Sequence, residues 1–299
     1  MPEKLIIGSR GSQLALWQSR WVAARLPIPS ELLIIKTTGD KITDVPLAKV
    51  GTKGLFTKEL EEALLDNRID LAVHSLKDMP TELPPGLVLA AVPEREDARD
   101  AIVGKTLDEL GAGARVGTSS LRRAAQLKAL RPDLQIESIR GNLDTRLRKL
   151  DEGLYDSVVL AAAGLRRLGW GDRITQILPV EVMCPAVGQG ALAIETRGGS
   201  DPAAAVVATL THEDTLRAVR AERAVLNGLG GGCQVPIGAH ARIKDGRLQL
   251  RGVVARPDGS KVICLEAEGD AGEPEVVGSQ LARDLLAAGA SELLDVEGR

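Results

Sequence analysis

The pattern of apolar and polar positions along the chain predicts strands and helices in turn. An apolar run at residues 4–8 predicts a buried strand, and apolar residues at helical spacing after Ser12 predict a helix capped by that serine. Further strands are predicted at residues 32–36, 69–73, 115–117, 135–139, 157–161 and 191–196, and further helices at 57–67, 120–130, 143–150 and from about 164. Strands that alternate with helices predict mostly parallel sheets with helices on both faces.

The chain after about residue 210 follows a different pattern. A helix at residues 213–226 opens with acidic side chains, as the helix dipole favours, and a second helix is predicted at about 275–288. Between them, strands are predicted at residues 235–242, 247–256 and 261–268. The turn sequences KDG and PDG join these strands, so they should pair antiparallel in a small α+β domain.

Two charged or proline-containing segments divide the αβ part of the chain. Residues 93–100 and 179–185 are interpreted as crossovers, which predicts two αβ lobes around a cleft. The expected domains are residues 1–94 with 189–209 as domain 1, residues 95–188 as domain 2 and residues 210–299 as domain 3.

Composition narrows the possible functions. The chain has 299 residues, 44% of them hydrophobic and 26% charged, as in ordinary soluble globular proteins. With 38 Lys and Arg against 41 Asp and Glu, the net charge of −3 argues against a nucleic-acid partner, and 2% aromatic residues leave few surfaces for base stacking. No apolar run is long enough to span a bilayer, and the N-terminus lacks a secretory signal pattern. We therefore expect a cytoplasmic protein without a membrane partner.

Basic residues follow most of the predicted parallel strands, at the edge where open α/β sheets bind ligands. The basic residues at these strand ends are Arg10, Lys77, Arg122, Arg123, Arg140, Arg146, Arg166 and Arg167. Each one alone is most simply a surface residue, but the whole set is harder to explain in a chain of negative net charge. Thr118, Ser119 and Ser120 add a helix N-terminus, which favours anions. The expected ligand is a polyanion, such as a carboxylate or a phosphate ester.

Asp78 is the sole acid among these strand ends. It could stabilise a cation that develops on a substrate, or it could move a proton. A plain salt bridge to Lys77 or to an arginine explains it equally well on local sequence alone.

The three cysteines have different sequence settings. Cys233 follows three glycines, which indicates an exposed loop and makes it the best candidate for covalent chemistry. Cys264, within a predicted strand, and Cys184, before a proline, are expected to be structural. Three scattered cysteines predict neither a disulfide framework nor a zinc site.

Residues 37–54 form a long polar stretch without a clear period. A segment of this length within a compact domain is more often functional than accidental. The glycines and lysines at Lys49, Gly51, Lys53 and Gly54 lead us to expect a mobile lid at about residues 43–54, which would exclude water from the ligand.

Five sequence segments in register resemble the porphobilinogen deaminase (hydroxymethylbilane synthase) family. They are HSLKDMP at residues 74–80, VGTSSLRR at 116–123, IRGNLDTR at 139–146, VGQG at 187–190 and GGCQVP at 231–236. The resemblance runs from Gly8 to about Ala241, and the C-terminal domain fits in layout. One departure is Ser9, where the family more often has threonine.

The resemblance implies a transferase of tetrapyrrole biosynthesis that joins four porphobilinogen molecules head to tail, loses ammonia each time and releases hydroxymethylbilane. It implies two periplasmic-binding-protein-like αβ domains, a dipyrromethane cofactor attached through a thioether to Cys233, and no metal. Asp78 would contact pyrrole nitrogens and stabilise the azafulvene-like cation formed as ammonia leaves. The residues implied in cofactor or substrate binding are Arg10, Gln18, Lys53, Ser75, Lys77, Thr118, Ser119, Ser120, Arg122, Arg123, Arg140, Arg146, Arg167 and Gln189.

Two other functions remain open. A bilobal binding protein for an anionic ligand would carry no covalent adduct. A cysteine-dependent hydrolase would need a histidine near Cys233, and the candidates are His74, His212 and His240. As a member of the resembled family, the chain would be a monomer that passes its product to uroporphyrinogen-III synthase.

Overall fold

The computed structural model describes residues 3–41, 55–231 and 235–294, with the backbone alone at residues 40 and 41. The predictions for Lys53, for Cys233 and for a lid at residues 43–54 therefore lie outside the described residues. The chain divides into two compact units. Unit 1 comprises Met1–Glu96 and Ala191–Leu216, and unit 2 comprises Asp97–Gly190 and Arg217–Arg299.

Unit 1 is built on a five-stranded sheet. Its strands are β1 (Leu5–Ser9), β2 (Ser30–Ile34), β3 (Leu71–Ser75), β4 (Leu87–Ala91) and β10 (Leu192–Arg197). Its helices are α1 (Gln13–Ala23), α2 (Thr38–Lys41), α3 (Lys58–Leu65) and α7 (Pro202–Ala208), and α8 (Glu213–Gly228) begins in this unit. The strand order is β2-β1-β3-β10-β4.

The start of unit 1 follows the predicted pattern. Ser12 caps α1, and its side chain accepts a hydrogen bond from Ala15 N at 3.3 Å. Strand β1 pairs parallel with both β2 and β3, and its apolar residues Leu5 and Ile7 are buried in the core of the unit. Strand β2 begins two residues earlier than predicted, because it is an outer strand of the sheet whose apolar residues are largely exposed and so do not mark its register.

The αβ part of unit 2 has a second five-stranded sheet. Its strands are β5 (Asp100–Gly104), β6 (Arg115–Gly117), β7 (Gln135–Glu137), β8 (Ser157–Ala161) and β9 (Gln176–Ile177), and its helices are α4 (Leu121–Leu130), α5 (Leu143–Asp151) and α6 (Ala162–Arg167). The strand order is β7-β6-β8-β5-β9. Helix α6 begins two residues before the predicted start.

Both sheets are mostly parallel, as predicted, because four of the five strands in each sheet run in one direction and one runs against them. In unit 1, β10 runs antiparallel to β3 and β4, and in unit 2, β5 runs antiparallel to β8 and β9. In each sheet, one strand that follows a segment interpreted as a crossover enters the middle of the sheet in the opposite direction. The strands β4, β5 and β9 and the helix α7 have no counterpart among the predicted elements.

The C-terminal part of unit 2 confirms the predicted α+β domain. Its elements are β11 (Ile237–Lys244), β12 (Arg247–Ala255), β13 (Val262–Asp270), α9 (Pro274–Ala287) and α10 (Ala290–Leu294). The three strands pair antiparallel in chain order, and the two helices pack against the sheet in one apolar core. The turn glycine Gly246 has φ +74°, which a residue with a side chain rarely adopts. Two αβ sheets followed by this domain confirm the predicted fold class.

Two cysteines differ in burial. Cys184 is buried, as predicted for a structural cysteine. Cys264 is exposed, so the prediction that it packs inside is wrong. On β13 the alternation of the strand places Ile263 in the core and turns Cys264 to the opposite face. Among the described residues, no helix is both long and apolar enough to cross a membrane.

Candidate functional site

The segment that carries Asp78 begins where β3 ends. After Ser75 the chain forms one 3-10 turn at Leu76–Asp78, in which the Leu76 side chain is buried and its backbone N–H donates to Ala191 O at 3.0 Å. Met79, which follows the turn, is also buried. Asp78 itself is exposed. The turn therefore holds a carboxylate at the surface, where it is able to contact a ligand.

Three other predicted site residues lie in unit 1 near strand ends. Gln18 on α1 is 2% exposed, and its Nε2 donates to Ser75 Oγ at 2.9 Å. Arg10 follows β1, and its guanidinium carbon lies 4.2 Å from the ring centroid of Phe56, a cation–π contact. The structure thus brings Gln18 and Ser75 together and gives Arg10 an aromatic neighbour.

Unit 1 also buries a histidine and two glutamates that the sequence did not single out together. His74 Nε2 lies 3.0 Å from Glu195 Oε2, which comes from β10. Glu61 on α3 is buried as well, and its burial raises the pKa of its carboxyl group, with a further rise from the nearby charge of Glu195.

In unit 2 a buried aspartate binds two of the predicted arginines. Asp100 is the first residue of β5, and its two carboxylate oxygens face Arg122 and Arg123, which lie in the first turn of α4. Arg122 Nη1 donates to Asp100 Oδ2 at 2.8 Å, and Arg123 Nε donates to Asp100 Oδ1 at 2.9 Å. Burial alone would raise the pKa of Asp100, but the two guanidinium charges outweigh it and hold this pKa well below its usual range.

The two arginines are bonded to different extents. Arg123 also donates to Val159 O at 3.1 Å and to Gln189 Oε1 at 3.3 Å. Arg122 donates from Nη1 to Cys184 O at 2.6 Å, but its buried Nε has no hydrogen-bond partner among the described residues. One carboxylate against two guanidinium groups leaves this buried cluster with a surplus positive charge, and Arg122 has an unused donor.

Gln189 joins the same cluster from the segment after residue 185. It is 1% exposed, and its Nε2 donates to Asp100 Oδ1 at 2.9 Å and to Ala98 O at 2.7 Å. Arg167 is also buried, and it donates to Gly190 O at 2.7 Å. The structure therefore brings Arg122, Arg123 and Gln189 together around Asp100.

The hydroxyl groups before α4 make bonds within the unit. Ser120 caps α4 by accepting from Arg123 N at 3.4 Å, and Thr118 Oγ1 accepts from Ser120 N at 3.2 Å. Ser119 Oγ donates to Ile139 O at 2.6 Å. These bonds fix the turn between β6 and α4, and they place the two arginines at the start of the helix.

Arg140 and Arg146 flank the turn before α5. Arg146 Nε donates to Gly141 O at 2.8 Å, and Gly141 has φ +109°, a conformation that favours glycine. Both arginines are half-buried. Arg166, another arginine at a predicted strand end, instead forms an ion pair with Asp97 at 3.1 Å.

The sequence patterns did not predict Asp100 and Glu195 as members of these buried clusters. Both lie on the antiparallel strands β5 and β10, which bring acidic residues to the parallel strands from the opposite direction. Asp100 closes a run of charged residues that was interpreted as a crossover. The described residues contain no group of three or more His, Cys, Asp or Glu side chains that could hold a metal ion.

Two solved structures are distantly similar to this chain. The BvgS periplasmic VFT2 domain of Bordetella pertussis has a TM-score of 0.39 and 14% identity, covering 70% of this chain and 86% of that chain. The methionine-binding protein MetQ has a TM-score of 0.44 and 14% identity, covering 70% of this chain and 90% of that chain.

Sequence comparisons find relatives that are far more similar to this chain. Residues 5–205 match the family model described as porphobilinogen deaminase, dipyromethane cofactor binding domain, and residues 216–287 match the porphobilinogen deaminase C-terminal domain. The porphobilinogen deaminase of Thiobacillus denitrificans is 54% identical over 97% of this chain and 98% of its own length. That of Desulforamulus reducens is 50% identical over 99% of this chain and 98% of its own length. The chain therefore belongs to the porphobilinogen deaminase family.

Proposed function

We propose that this chain is a hydroxymethylbilane synthase, a transferase of tetrapyrrole biosynthesis. It joins four porphobilinogen molecules head to tail, releases one ammonia for each, and releases linear hydroxymethylbilane. Family membership over nearly the whole chain supports the activity. The structural observation that carries the proposal is the buried Asp100 cluster, because its surplus positive charge and the unused Arg122 Nε suit a polycarboxylate ligand.

The residues of unit 2 fit a dipyrromethane cofactor, which bears acetate and propionate groups. A buried donor without a partner is costly unless a ligand accepts from it, and Arg122 Nε is such a donor. When bound, the dipyrromethane supplies the pyrrole to which the first substrate is joined. Arg122, Arg123 and Arg146 would hold its carboxylates, with Thr118, Ser119, Ser120, Arg140 and Gln189 supporting them.

The thiol chemistry favours Cys233 as the attachment residue. Burial raises the pKa of Cys184 far above its ordinary value. Cys264 is exposed, but partial loss of hydration by its thiol raises its pKa despite the nearby Arg251. A thiol with a raised pKa is a poor nucleophile, because the thiolate is the reactive form. In the sequence, Cys233 directly follows three glycines, which suits an exposed thiol.

Asp78 is the proposed catalytic residue. Its exposed carboxylate would lie against the pyrrole nitrogen of the substrate and stabilise the positive charge that develops as ammonia leaves. Arg10, Lys53, Lys77 and Arg167 would bind the carboxylates of incoming porphobilinogen. Gln18 would orient Ser75 through the bond that joins them.

The cellular setting is part of the same proposal. The product would pass to uroporphyrinogen-III synthase. We propose a monomer in the cytoplasm, without nucleic acid or membrane partners.

Intact mass of the native protein tests this function. We expect a covalent adduct with the mass of a dipyrromethane, located by peptide mapping at Cys233, and further additions after a pulse of porphobilinogen. Cys233→Ser should lack the adduct because a hydroxyl is a weaker nucleophile, while the matched variants Cys184→Ser and Cys264→Ser should keep it. An unmodified wild-type chain, as a binding protein would show, or an adduct on another cysteine would contradict the proposal.

A further inference from the structure

Unit 1 buries three titratable side chains that the proposed reaction does not use. His74, Glu195 and Glu61 are 5%, 0% and 7% exposed, and they come from β3, β10 and α3 respectively. Burial of ionisable groups is costly unless they are paired, so such a cluster needs an explanation.

Strand β10 holds the end of β3 in two ways. In the backbone, Ala193 pairs with His74, Leu192 pairs with Ser75, and Ala191 O accepts from Leu76 N. In addition, the Glu195 side chain contacts the His74 ring at 3.0 Å. The turn that ends at Asp78 follows directly, so the His74–Glu195 contact is the last side-chain bond between the two strands before this turn.

The two glutamates of the cluster differ in their hydrogen bonds. Glu195 Oε2 is bonded to His74, whereas Glu61 Oε1 is buried and has no partner among the described residues. Burial and the neighbouring Glu195 both raise the pKa of Glu61, which favours its neutral form. Glu195 is therefore the glutamate that is hydrogen-bonded to the end of β3.

We propose that Glu195, acting through His74, is a positioning residue for Asp78. The buried pair fixes the last residues of β3 and therefore the place of the 3-10 turn that presents the Asp78 carboxylate. This inference rests on the proposed function, in which Asp78 contacts the reacting substrate. Small displacements of a catalytic group lower the rate strongly, because the reacting atoms must be aligned within a fraction of an ångström.

Single substitutions in the holoenzyme test the inference, with kcat and KM for porphobilinogen measured separately. Glu195→Gln should lower kcat by about tenfold or more and change KM by less than about threefold. Glu61→Gln is the matched control, since it makes the same chemical change in the same cluster at a side chain whose buried Oε1 has no partner among the described residues, and it should keep kcat within about twofold of wild type. Intact mass should show complete cofactor loading in both variants, because the arginines proposed to hold the cofactor lie in unit 2.

The histidine gives a second test that does not depend on how Glu195→Gln folds. Glutamine can place an amide N–H where His74 Nε2 lies, so His74→Gln should retain kcat within about threefold, whereas His74→Leu should lose as much as Glu195→Gln. Thermal unfolding of each variant separates loss of folded protein from loss of turnover. This rescue would not occur if the pair only filled space in the core.

Three results would overturn the inference. They are a kcat near wild type in folded Glu195→Gln, equal losses in Glu195→Gln and Glu61→Gln, and equal losses in His74→Gln and His74→Leu. Asp78→Ala measured in the same series separates the two levels of the argument. If Asp78→Ala keeps normal turnover, the proposed role of Asp78 fails; if it loses turnover while Glu195→Gln does not, only the positioning role fails.

Discussion

The two αβ units bury an acidic side chain on corresponding strands of their sheets, but the partners of these acids differ. In each sheet a central antiparallel strand brings an acid to the neighbouring parallel strand, Glu195 on β10 in unit 1 and Asp100 on β5 in unit 2. Asp100 meets two arginines and has both oxygens bonded, whereas Glu195 meets one histidine and leaves Oε1 unbonded. Unit 2 therefore buries two guanidinium groups around one acid, which suits anion binding. Unit 1 buries two acids beside one histidine, which suits the positioning of the Asp78 carboxylate.

The largest expected effect comes from removing the acid of unit 2. Asp100→Asn leaves two buried guanidinium groups without their counter-charge, and breaking a buried pair in this way costs about 3–5 kcal/mol. Urea unfolding should show this loss, and intact mass should show reduced cofactor loading. Asp133→Asn is the matched control, because Asp133 pairs with Arg131 at the surface and should matter far less. Equal losses from the two variants would contradict the role given to burial.

The next effect concerns the exposed acid of unit 1. Asp78→Ala should fold normally and load cofactor, but turnover should fall by about two to three decades, since such charge stabilisation is worth roughly 3–4 kcal/mol. Asp78→Glu keeps the charge and should retain more activity. Steady-state rates with unfolding curves check both expectations. Near-normal turnover in the alanine variant would leave unit 1 without a catalytic role for this residue.

The arginines should differ by reaction step. Leu variants of Arg122, Arg123 and Arg146 should yield protein without cofactor, whereas Leu variants of Arg10 and Arg167 should yield loaded protein that stalls after few additions. Arg123→Leu should also cost more stability than Arg122→Leu, by about 1 kcal/mol, because Arg123 donates to Val159 and Gln189 whereas Arg122 donates to Cys184 O. Intact mass after a short porphobilinogen pulse and urea unfolding test these differences. Uniform behaviour of the whole set would reject the division.

The smallest effect is a pH dependence of opposite sign in the two clusters. The raised pKa of Glu61 means that the folded state holds this proton more tightly, so its contribution to stability falls as pH rises above about 4.3. The lowered pKa of Asp100 means that its contribution is present at neutral pH and is lost as pH falls below about 3.9. Unfolding free energies measured across pH should show that Glu61→Gln gains on wild type as pH rises. A constant difference across pH would show that Glu61 does not titrate on folding.

The parallel strands and the residues that follow them could be predicted from the sequence, because each such strand has its own local apolar pattern. The ends of β6 and β8 are as predicted, and so is the cap at Ser12. The sequence could not predict the role of Asp100, because the burial of that residue depends on Arg122 and Arg123, which lie 22 and 23 residues further along the chain. The local sequence shows only a run of charged residues that ends at Asp100. Asp100 becomes part of the core because β5, which begins at this residue, pairs antiparallel with β8 inside the sheet.

Cys264 shows the same limit at smaller scale. Its strand is predicted almost correctly, but a strand of nine residues in a three-stranded sheet has one covered and one open face. Which face carries Cys264 depends on where α9 and α10 pack, and the apolar neighbours Ile263 and Leu265 do not distinguish this from a strand buried on both sides.

The position of β10 in the sheet of unit 1 has a consequence for co-translational folding. It lies between β3 and β4, yet β4 ends at Ala91 and β10 begins only at Leu192. Translation proceeds at roughly 5–20 residues per second, and early domains usually fold as they emerge. Here the sheet of unit 1 cannot be completed until the αβ part of unit 2 has been synthesised. Until then, β4 has no β10 with which to pair. The sheet of unit 1 is therefore completed after the αβ sheet of unit 2, although its synthesis begins first.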